Sequence, residues 1–320
     1  MSVSDYFSTF CSNLRMSSDT VSTIQYRYHQ ITKRINLDYW SSSSETTHSL
    51  YVGSYGRGTE IWTSDIDIIV QLPYSTYEKF NAYKSNGQSA LLQEVKGVLQ
   101  KTYSTSYVKG DGQVIGINFS DGINFEIVPA FINTDGSYTY PDSNNGGSWR
   151  ITDPKKEIDA MNSRNKNTNK NLKRLCRMAR AWKGKCNVPM SGILIDTLAY
   201  KFINDWEYKD KSYLYYDFMS RDFFKYLEEL DENQNYWLAP GSQRYVWKNG
   251  EFHTKAKTAY NNAVSAISYE NSNYSYSAKQ KWREIYGTKF PEIVKDINWN
   301  HKFGRLMEEL HIHKHAMISL

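Results

Sequence analysis

The spacing of apolar residues predicts a long helix near the start of the chain. Residues 19–40 carry an apolar stripe that repeats every three or four positions, the period of one helix face: Val21, Ile24, Tyr28, Ile31 and Ile35. Asp19 is the expected N-cap, because its carboxylate can accept a hydrogen bond from a free backbone N–H of the first turn. We therefore expect an amphipathic helix that packs one side against a sheet.

Short alternating segments follow this helix and predict the sheet. A strand is expected through Leu50 and Val52, then a helix near 87–102, and then strands within 104–109, 113–119 and 123–131, separated by Gly and Asp turn residues. Strands gathered around one early helix predict an α+β lobe. This lobe is expected to span residues 1–150, together with the N-terminal helices.

The pattern becomes helical after Asp153. Apolar residues at helical spacing predict helices near 154–163, 168–184, 190–206, 217–231, 255–270 and 277–286. The intervening segment YPDSNNGGSW at 140–149 is rich in turn-forming residues, and we interpret it as the joint between lobes. The second lobe is therefore expected to be helical and to span residues 151–320.

Composition limits the class of protein. The 320 residues are 40% hydrophobic and 23% charged, which is typical of a folded globular chain, and the net charge of +5 is too small to imply nucleic-acid binding. Cys11, Cys176 and Cys186 lack the spacing of a disulfide framework or a zinc site. Because no signal peptide and no run of 18 apolar residues is found, we expect a cytoplasmic protein without a membrane span.

The candidate chemistry begins in the stretch GSYGRGTEIWTSDIDIIVQLP at 53–73. Side chains alternate along a strand, so Asp65 and Asp67 project from one face, about 7 Å apart, while Ile66 and Ile68 project from the other. Two like charges on one face repel each other unless a cation lies between them. Mg²⁺ prefers oxygen ligands and would resolve the conflict. The simpler alternative is that an isolated Asp-x-Asp is a solvated strand end.

Two neighbouring features favour the metal interpretation. Gly53 and Ser54 precede the acids at an expected helix start, where backbone N–H groups and the Ser54 hydroxyl can donate to phosphate oxygens. Glu126 is an acid on a later strand whose opposite face is apolar. Alone it could be an exposed strand residue, but with Asp65 and Asp67 it completes a set of three carboxylates.

This arrangement resembles the DNA polymerase β-like nucleotidyltransferases, in which Gly-Ser, about ten residues, Asp-x-Asp and a later acid form the signature. Within that superfamily the chain is most similar to the bacterial cGAS/DncV-like nucleotidyltransferases (CD-NTases). The similarity is carried by GSYGRGT, DIDIIV, the acid before VPA, a basic helix ending in RAW, SGILIDTLAYKF, and AVSAISYE followed by KQKWREIYGTKFP. These landmarks span residues 20–291.

The resemblance implies a polymerase β-like palm with a mixed sheet flanked by helices, and a closing helical lobe. It also implies a template-independent enzyme that makes cyclic di- or trinucleotides from nucleoside triphosphates. It implies two Mg²⁺ ions, replaceable by Mn²⁺, on Asp65, Asp67 and Glu126. It also implies a role in bacterial antiphage signalling, with an effector that senses the product and a possible regulatory partner, and without any need for nucleic acid. One departure is that the third acid is more often Asp, so Glu126 reaches one methylene further.

Two other functions remain open at this stage. The chain could be a nucleotidyltransferase that extends an RNA or modifies another acceptor. It could also be an inactive relative that binds RNA through the basic helix at 164–185.

That basic helix is the most asymmetric region of the sequence. No acid lies between Asp159 and Asp196, whereas the same stretch carries Arg164, Lys166, Lys170, Lys173, Arg174, Arg177, Arg180, Lys183 and Lys185. A helical wheel buries Leu172, Leu175, Cys176, Ala179 and Trp182, places Lys173 and Arg177 on the polar side, and leaves Arg180 at the rim. Most of these cations are expected to form a solvated face.

By resemblance, Arg180 and Ser191 would hold the triphosphate of the substrate. Arg57 is a weaker candidate, since it follows the Gly-Ser turn but could serve only a structural pairing. The segment HIHKHAM at 311–317 is expected to be a tail rather than a metal site, and the aromatic run YLYYDF at 213–218 is expected to pack in the core.

Overall fold

The computed structural model describes residues 2–61, 65–104 and 106–292. The histidine-bearing segment 311–317 lies outside these residues, so its interpretation is not tested. In the described part of the chain no helix combines the length and the hydropathy needed to cross a bilayer.

The helices, in chain order, are α1 (Val3–Asn13), α2 (Ser18–Tyr39), α3 (Gly53–Arg57), α4 (Tyr74–Asn81), α5 (Gly87–Gln100), α6 (Pro154–Asn167), α7 (Asn171–Cys186), α8 (Gly192–Asp205), α9 (Tyr216–Glu228), α10 (His253–Asn271) and α11 (Ser275–Tyr286). Six of them, α6 to α11, match the six helices predicted after Asp153. The predicted helices at 19–40 and 87–102 correspond to α2 and α5. The short helices α1 and α4 were not predicted.

The strands of the main sheet are β1 (Ser49–Tyr51), β2 (Asp65–Gln71), β3 (Tyr107–Asp111), β4 (Val114–Asn118), β5 (Asn124–Ile132), β6 (Tyr138–Asp142) and β7 (Ser148–Thr152). Their order is β1-β2-β5-β4-β3, and β6 extends from β5 and pairs with β7. Strands β2 and β5 are parallel, whereas the other pairs described are antiparallel. The predicted α+β class with a mixed sheet is confirmed.

Helix α2 packs on this sheet through its predicted stripe. Ile24, Ile31 and Ile35 are buried in one core with the inward residues of β2, β4 and β5 and with α5. Ser17, rather than the expected Asp19, caps the helix, because its hydroxyl accepts a hydrogen bond from the Thr20 backbone N–H at 3.1 Å. We call this sheet and its helices α2 to α5 the sheet lobe.

The turn-rich segment 140–149 is a hairpin and not an open joint. Strands β6 and β7 pair antiparallel from Tyr138 opposite Thr152 to Asp142 opposite Ser148. Asn145, Gly146 and Gly147 have positive φ values in the turn. The interpretation as a joint was wrong because Asn and Gly permit tight hairpin turns as readily as loops between lobes.

The helical core recruits the N-terminal helix. Phe7 and Phe10 of α1 are fully buried among residues of α7 to α11. The ring of Phe7 lies 5.1 Å from that of Trp282, and the ring of Phe10 lies 4.7 Å from that of Tyr286. Helix α1 therefore packs with the later helices, whereas the sequence analysis grouped it with residues 1–150. We call α1 and α6 to α11 the helical lobe.

The buried face of α7 agrees with the helical wheel. Leu172, Leu175, Cys176, Ala179 and Trp182 are all at most 1% exposed. The aromatic run at 213–218 also contributes to this core through Tyr216, which is fully buried. A small hairpin of β8 (Tyr236–Leu238) and β9 (Tyr245–Trp247), which the sequence analysis missed, lies between α9 and α10.

Replacing Phe10 with Ala tests the placement of α1. Removing a fully buried aromatic side chain costs about 3 to 5 kcal/mol, so the free energy of unfolding in urea is expected to fall by that amount. Tyr26→Ala is the matched control, because Tyr26 is 65% exposed and its loss is expected to cost less than about 0.5 kcal/mol. Equal effects of the two substitutions would contradict the packing of α1 in the helical core.

Candidate active site

The parallel pairing of β2 and β5 places two of the predicted acids side by side. Asp67 is the Cα partner of Glu126, and Asp65 is the partner of Asn124. Directly opposed residues of a parallel pair project from the same face of a sheet. The opposite face carries Ile66 and its neighbours, which are buried in the core of the sheet lobe. The alternation predicted for each strand therefore brings acids from distant parts of the sequence onto one surface.

The environment of these acids disfavours their charged forms. Burial raises the pKa of Asp67, with Arg57 opposing and Asp65 adding to the increase. Burial also raises the pKa of Glu126, and the negative charges of Asp67 and Asp65 raise it further. The Asp65 carboxylate accepts a hydrogen bond from the Asn124 amide at 3.3 Å. Clustered carboxylates of like charge favour the binding of a cation among them.

The oxygen donors fit a hard divalent cation such as Mg²⁺, which binds carboxylates and retains water or substrate oxygens as further ligands. Within residues 2–61, 65–104 and 106–292, no group of three or more His, Cys, Asp or Glu side chains forms a complete metal-ligand cluster. The structure thus pairs Asp67 with Glu126 across the two strands, and the full set with Asp65 stays a prediction.

Gly53 allows the preceding turn to approach the acids. It begins α3 with φ of +59°, and a Cβ atom at this position would lie 1.8 Å from the Asp67 Oδ2 atom. The Val52 backbone N–H also donates to the Asp67 carbonyl oxygen at 2.9 Å. Any side chain larger than hydrogen would displace the Asp67 carboxylate, so the glycine of the Gly-Ser pair is required by space as well as by backbone conformation.

A cavity of about 440 Å³ lies beside this turn, between the sheet lobe and the helical lobe. Its lining includes Gly53, Ser54, Arg57, Asp67, Gln113, Tyr140, Glu157, Ser191 and Arg244. We call it the catalytic cavity. Of the residues predicted from the sequence, Gly53, Ser54, Arg57, Asp67 and Ser191 meet here. Its volume lies within the range of about 300–1,000 Å³ that is typical of small-molecule sites.

Comparison with known families shows the family to which this chain belongs. Residues 1–165 match the model of the Second Messenger Oligonucleotide or Dinucleotide Synthetase (SMODS) domain, which is just over half of the chain. This chain belongs to the SMODS family.

A curated relative points the same way. The "Probable cyclic nucleotide synthase" of Bacillus cereus (strain VD146) is 25% identical over 179 residues, which cover 52% of this chain and 51% of that protein. The chain thus matches about half the length of this curated relative.

Solved structures extend the similarity in fold to most of the chain. The CdnC:HORMA-deltaN complex of Escherichia coli MS115-1 aligns with a TM-score of 0.66 at 14% identity, covering 90% of this chain and 98% of that chain. The Bradyrhizobium diazoefficiens CD-NTase CdnG in complex with GTP aligns with a TM-score of 0.65 at 10% identity, covering 88% and 94%. At these identities the likeness shows the fold of the SMODS protein, including its helical lobe.

Arg57 and Asp196 join the two lobes of the SMODS protein behind the catalytic cavity. The Arg57 guanidinium is buried, and its Nε donates to Asp196 Oδ2 at 2.9 Å. It also lies 3.4 Å from a carboxylate oxygen of Glu157. The Thr59 hydroxyl donates to the same Asp196 oxygen at 2.9 Å. Arg57 therefore fixes α3 to α6 and α8, and its positive charge lies beside Asp67.

Arg180 is held by Asp196 and does not line the catalytic cavity. Its guanidinium donates to Asp196 Oδ1 at 2.5 Å and Oδ2 at 2.9 Å, and to the Gly192 carbonyl oxygen at 3.1 Å. It borders a separate cavity of about 530 Å³ that includes Lys185 and Arg283. The rim position predicted for Arg180 is compatible with this pairing. Asp196 on α8 binds the guanidinium, so the guanidinium does not contact the Gly-Ser turn.

Arg177 differs from the expectation of a solvated polar face. Only 7% of this residue is exposed. Its guanidinium donates to the Gly58 carbonyl oxygen at 2.6 Å and to the Glu60 carbonyl oxygen at 3.0 Å, and it pairs with the Glu60 carboxylate at 3.4 Å. The loop after α3 folds over this side of α7, which a helical wheel of α7 alone does not show.

Ser191 lies at the start of α8 in the catalytic cavity. It is the N-cap of this helix, since its hydroxyl accepts a hydrogen bond from the Leu194 backbone N–H at 3.3 Å. Its own backbone N–H donates to the Asn249 side chain at 3.2 Å. The hydroxyl therefore stabilises the helix start and remains on the cavity wall.

Three charged residues of the site were not predicted from the sequence: Glu157, Asp196 and Arg244. The Glu157 carboxylate is buried, and its Oε1 accepts from the Arg244 guanidinium at 2.5 Å and from the Ser242 hydroxyl at 2.9 Å. One signal was present for Asp196, which is the single acid of the apolar stretch SGILIDTLAYKF and follows a run of cations. A buried acid in such a helix requires a cationic partner.

Asp196→Asn tests the dependence of the fold on this carboxylate. Burial acts to raise the pKa of Asp196, but the charges and hydrogen bonds of Arg180 and Arg57 outweigh it and hold the pKa at about 2. Removing the charge leaves two buried arginines without this partner, so the free energy of unfolding near pH 7 is expected to fall by about 3 to 5 kcal/mol.

The pH dependence of this effect follows from the lowered pKa. The Asp196 charge contributes stability above the unfolded-state pKa of about 4, and the contribution is lost as the pH falls towards 2. The difference between wild type and Asp196→Asn in urea unfolding is therefore expected to narrow below about pH 4. Asp121→Asn, which removes an exposed carboxylate paired with Arg27, is the control and is expected to cost less than about 1 kcal/mol. A pH-independent difference would contradict the assignment.

Proposed function

We propose that this SMODS protein is a nucleotidyltransferase that joins nucleoside triphosphates into a cyclic di- or trinucleotide and releases pyrophosphate. The observation that carries the proposal is the in-register pair of Asp67 and Glu126 on parallel strands, with Gly53 packed against the Asp67 carboxylate. A Gly-Ser turn and Asp67 on one cavity wall, with Glu126 opposite Asp67 on the neighbouring strand, suit a substrate that brings both metal ions and phosphates.

In this proposal Asp65, Asp67 and Glu126 hold two Mg²⁺ ions, with Mn²⁺ as a substitute. When bound, such ions lower the pKa of an attacking hydroxyl and neutralise charge on the phosphates. The structural support is the donor chemistry described above: the carboxylate oxygens of Asp67 and Glu126 lie on one sheet face, and their pKa values are raised by burial and by the negative charge of Asp65. The acids would therefore gain a favourable partner when ions and substrate arrive together.

The remaining side chains of the catalytic cavity would orient the triphosphate. The Ser54 and Ser191 hydroxyls lie on opposite lobes and can donate to phosphate oxygens, which places the leaving group between α3 and α8. The buried Arg57 supplies positive charge from behind the turn. Holding the phosphates from both lobes fixes the α-phosphate beside Asp67, and such positioning accounts for much of catalysis in phosphoryl transfer.

Arg244 is the cation best placed to contact the triphosphate. Its Nε is bound to the buried Glu157, while about half of the side chain remains exposed on the cavity wall. Guanidinium groups match phosphate oxygens in a bidentate manner, and the ion pair with Glu157 fixes the group in advance. In this proposal Arg244 holds the triphosphate from the cavity wall. The triphosphate contact that the resemblance assigned to Arg180, whose guanidinium is bound to Asp196, stays a prediction.

The biological setting is proposed on the same basis. We place the protein in the bacterial cytoplasm, in antiphage signalling, where an effector senses the cyclic product. The E. coli CdnC structure contains a HORMA protein, which supports a regulatory partner for proteins of this fold. CdnC and CdnG have also been solved with ATP and GTP, which supports nucleoside triphosphates as substrates here.

Incubation with nucleoside triphosphates tests the activity. The 320-residue chain with Mg²⁺ and all four labelled triphosphates, and no added acceptor, is expected to give a phosphatase-resistant product with the mass of a cyclic oligonucleotide. Asp67→Asn is expected to lower the rate at least about a hundredfold, because a lost metal ligand removes several kcal/mol of transition-state stabilisation. Asp111→Asn, at an exposed carboxylate on β3, is expected to keep the wild-type rate.

Other outcomes distinguish the competing functions. Products that appear only with added RNA or another acceptor would indicate a tailing or acceptor-modifying transferase. No turnover together with steeply salt-dependent RNA affinity would indicate an inactive binding protein.

Arg244→Gln tests the triphosphate contact. The substitution keeps a hydrogen-bonding side chain but removes the charge, so KM for the triphosphate is expected to rise about tenfold, with a smaller effect on kcat. Arg221→Gln, at a partly exposed arginine on α9, is the matched control and is expected to leave KM unchanged. An unchanged KM in Arg244→Gln would remove this residue from the substrate site.

A further inference from the structure

A second cavity, of about 470 Å³, lies on the other side of α3 and shares no lining residue with the catalytic cavity. It forms where the end of α1, the start of α7 and the loop after α3 meet. Five cations line it: Arg15, Lys170, Lys173, Arg174 and Arg177. No acidic residue is part of its described lining. We call it the basic cavity.

The charges in the basic cavity are largely uncompensated. Among the described residues, only Arg177 of these five has an acidic partner, Glu60 at 3.4 Å. The Lys173 ammonium donates to the Asn162 side-chain oxygen at 2.5 Å, and the Arg174 guanidinium donates to the Tyr216 hydroxyl at 3.2 Å. These partners are neutral, so they satisfy hydrogen bonds without cancelling charge.

Several of these groups are fixed in place before any ligand arrives. Arg177 is 7% exposed and is held by the carbonyl oxygens of the loop after α3. Arg174 lies over the ring of Tyr213, with its guanidinium carbon 4.7 Å from the ring centroid. Burial lowers the pKa of Lys173, and repulsion by the nearby charge of Arg177 lowers it further, with Glu60 opposing the decrease. An anion in the cavity would relieve this repulsion.

We propose that the basic cavity binds a compact anion that carries two or three linked phosphate groups. Guanidinium groups form bidentate contacts with phosphate oxygens and lysines add point charges, so this set matches phosphate better than a single carboxylate. The concave shape of the cavity and the buried position of Arg177 favour a small molecule over a nucleic-acid duplex. The phosphates of a duplex lie on the outer surface of the double helix and cannot enter a cavity of this size. Size and charge density together indicate an oligophosphate.

Isothermal titration of the 320-residue chain with sodium tripolyphosphate tests the site. EDTA is included so that metal-dependent binding in the catalytic cavity does not contribute. The wild type is expected to bind one equivalent, with an affinity that falls as salt rises. Arg15→Ala/Lys170→Ala removes two exposed cations and is expected to weaken binding at least tenfold. Lys84→Ala/Lys96→Ala, which removes the same charge from α5 and the loop before it, is expected to bind like wild type.

A second variant covers the interior of the cavity. Lys173→Met keeps the aliphatic stem but removes the ammonium beside Gly58, and it is expected to weaken binding by a similar factor. Thermal unfolding of each variant before titration establishes that weaker binding is not caused by loss of the fold.

Four results would overturn the proposal. The first is that the wild type does not bind tripolyphosphate, and the second is that the two double variants bind it with equal affinity. The third is that Arg244→Gln loses binding while Arg15→Ala/Lys170→Ala retains it. The fourth is that the wild type binds a short DNA duplex but does not bind tripolyphosphate. The third result would place the probe in the catalytic cavity, and the fourth would assign the cations to nucleic acid. Because no arm measures nucleotide transfer, the outcome is independent of the proposed activity.

Discussion

The buried carboxylate of Asp196 joins the two lobes on either side of the catalytic cavity. Asp196 on α8 accepts hydrogen bonds from Arg57 at the end of α3 and from Arg180 on α7, so one fully buried group joins the sheet lobe to two helices. Two cations around one anion would be costly in isolation, but each guanidinium has a further partner in Glu157 or the Gly192 carbonyl oxygen. The position of the Gly-Ser turn beside Asp67 depends on this arrangement.

The acids of the candidate active site contrast with the Asp196 cluster, in which the buried charges are paired. Asp67 and Glu126 lie opposite each other on parallel strands, and their pKa values are raised by burial and like charge. Gly53 brings backbone to within van der Waals distance of the same carboxylate. The buried arginines are therefore paired with carboxylates of the protein itself, whereas the clustered acids would be stabilised by bound cations. This contrast separates the residues that build the site from those that we propose to act on substrate.

Helix α3 connects both unusual electrostatic regions of the surface. Its first residue, Gly53, lies in the catalytic cavity, and Gly58, directly after its last residue, lies in the basic cavity. Arg177 donates to the carbonyl oxygen of Gly58, so the cations of the basic cavity contact the same short segment that supports Asp67. The Gly-Ser turn beside Asp67 and the cations of the basic cavity are thus separated by a single helix of about 7 to 8 Å.

The sequence by itself determined the period of α2, the six helices of α6 to α11, the alternation that gives Asp65 and Asp67 one face, and the family resemblance. These features depend on the spacing of residue types over short stretches, which can be read directly from the sequence. The tertiary structure alone decided that α1 packs with the later helices, that 140–149 closes a hairpin, and that Asp196 captures Arg180 while Arg244 reaches the catalytic cavity. Each of these outcomes depends on contacts between residues far apart in the chain, because a buried charge or ring is stabilised by whichever partner the fold brings near it.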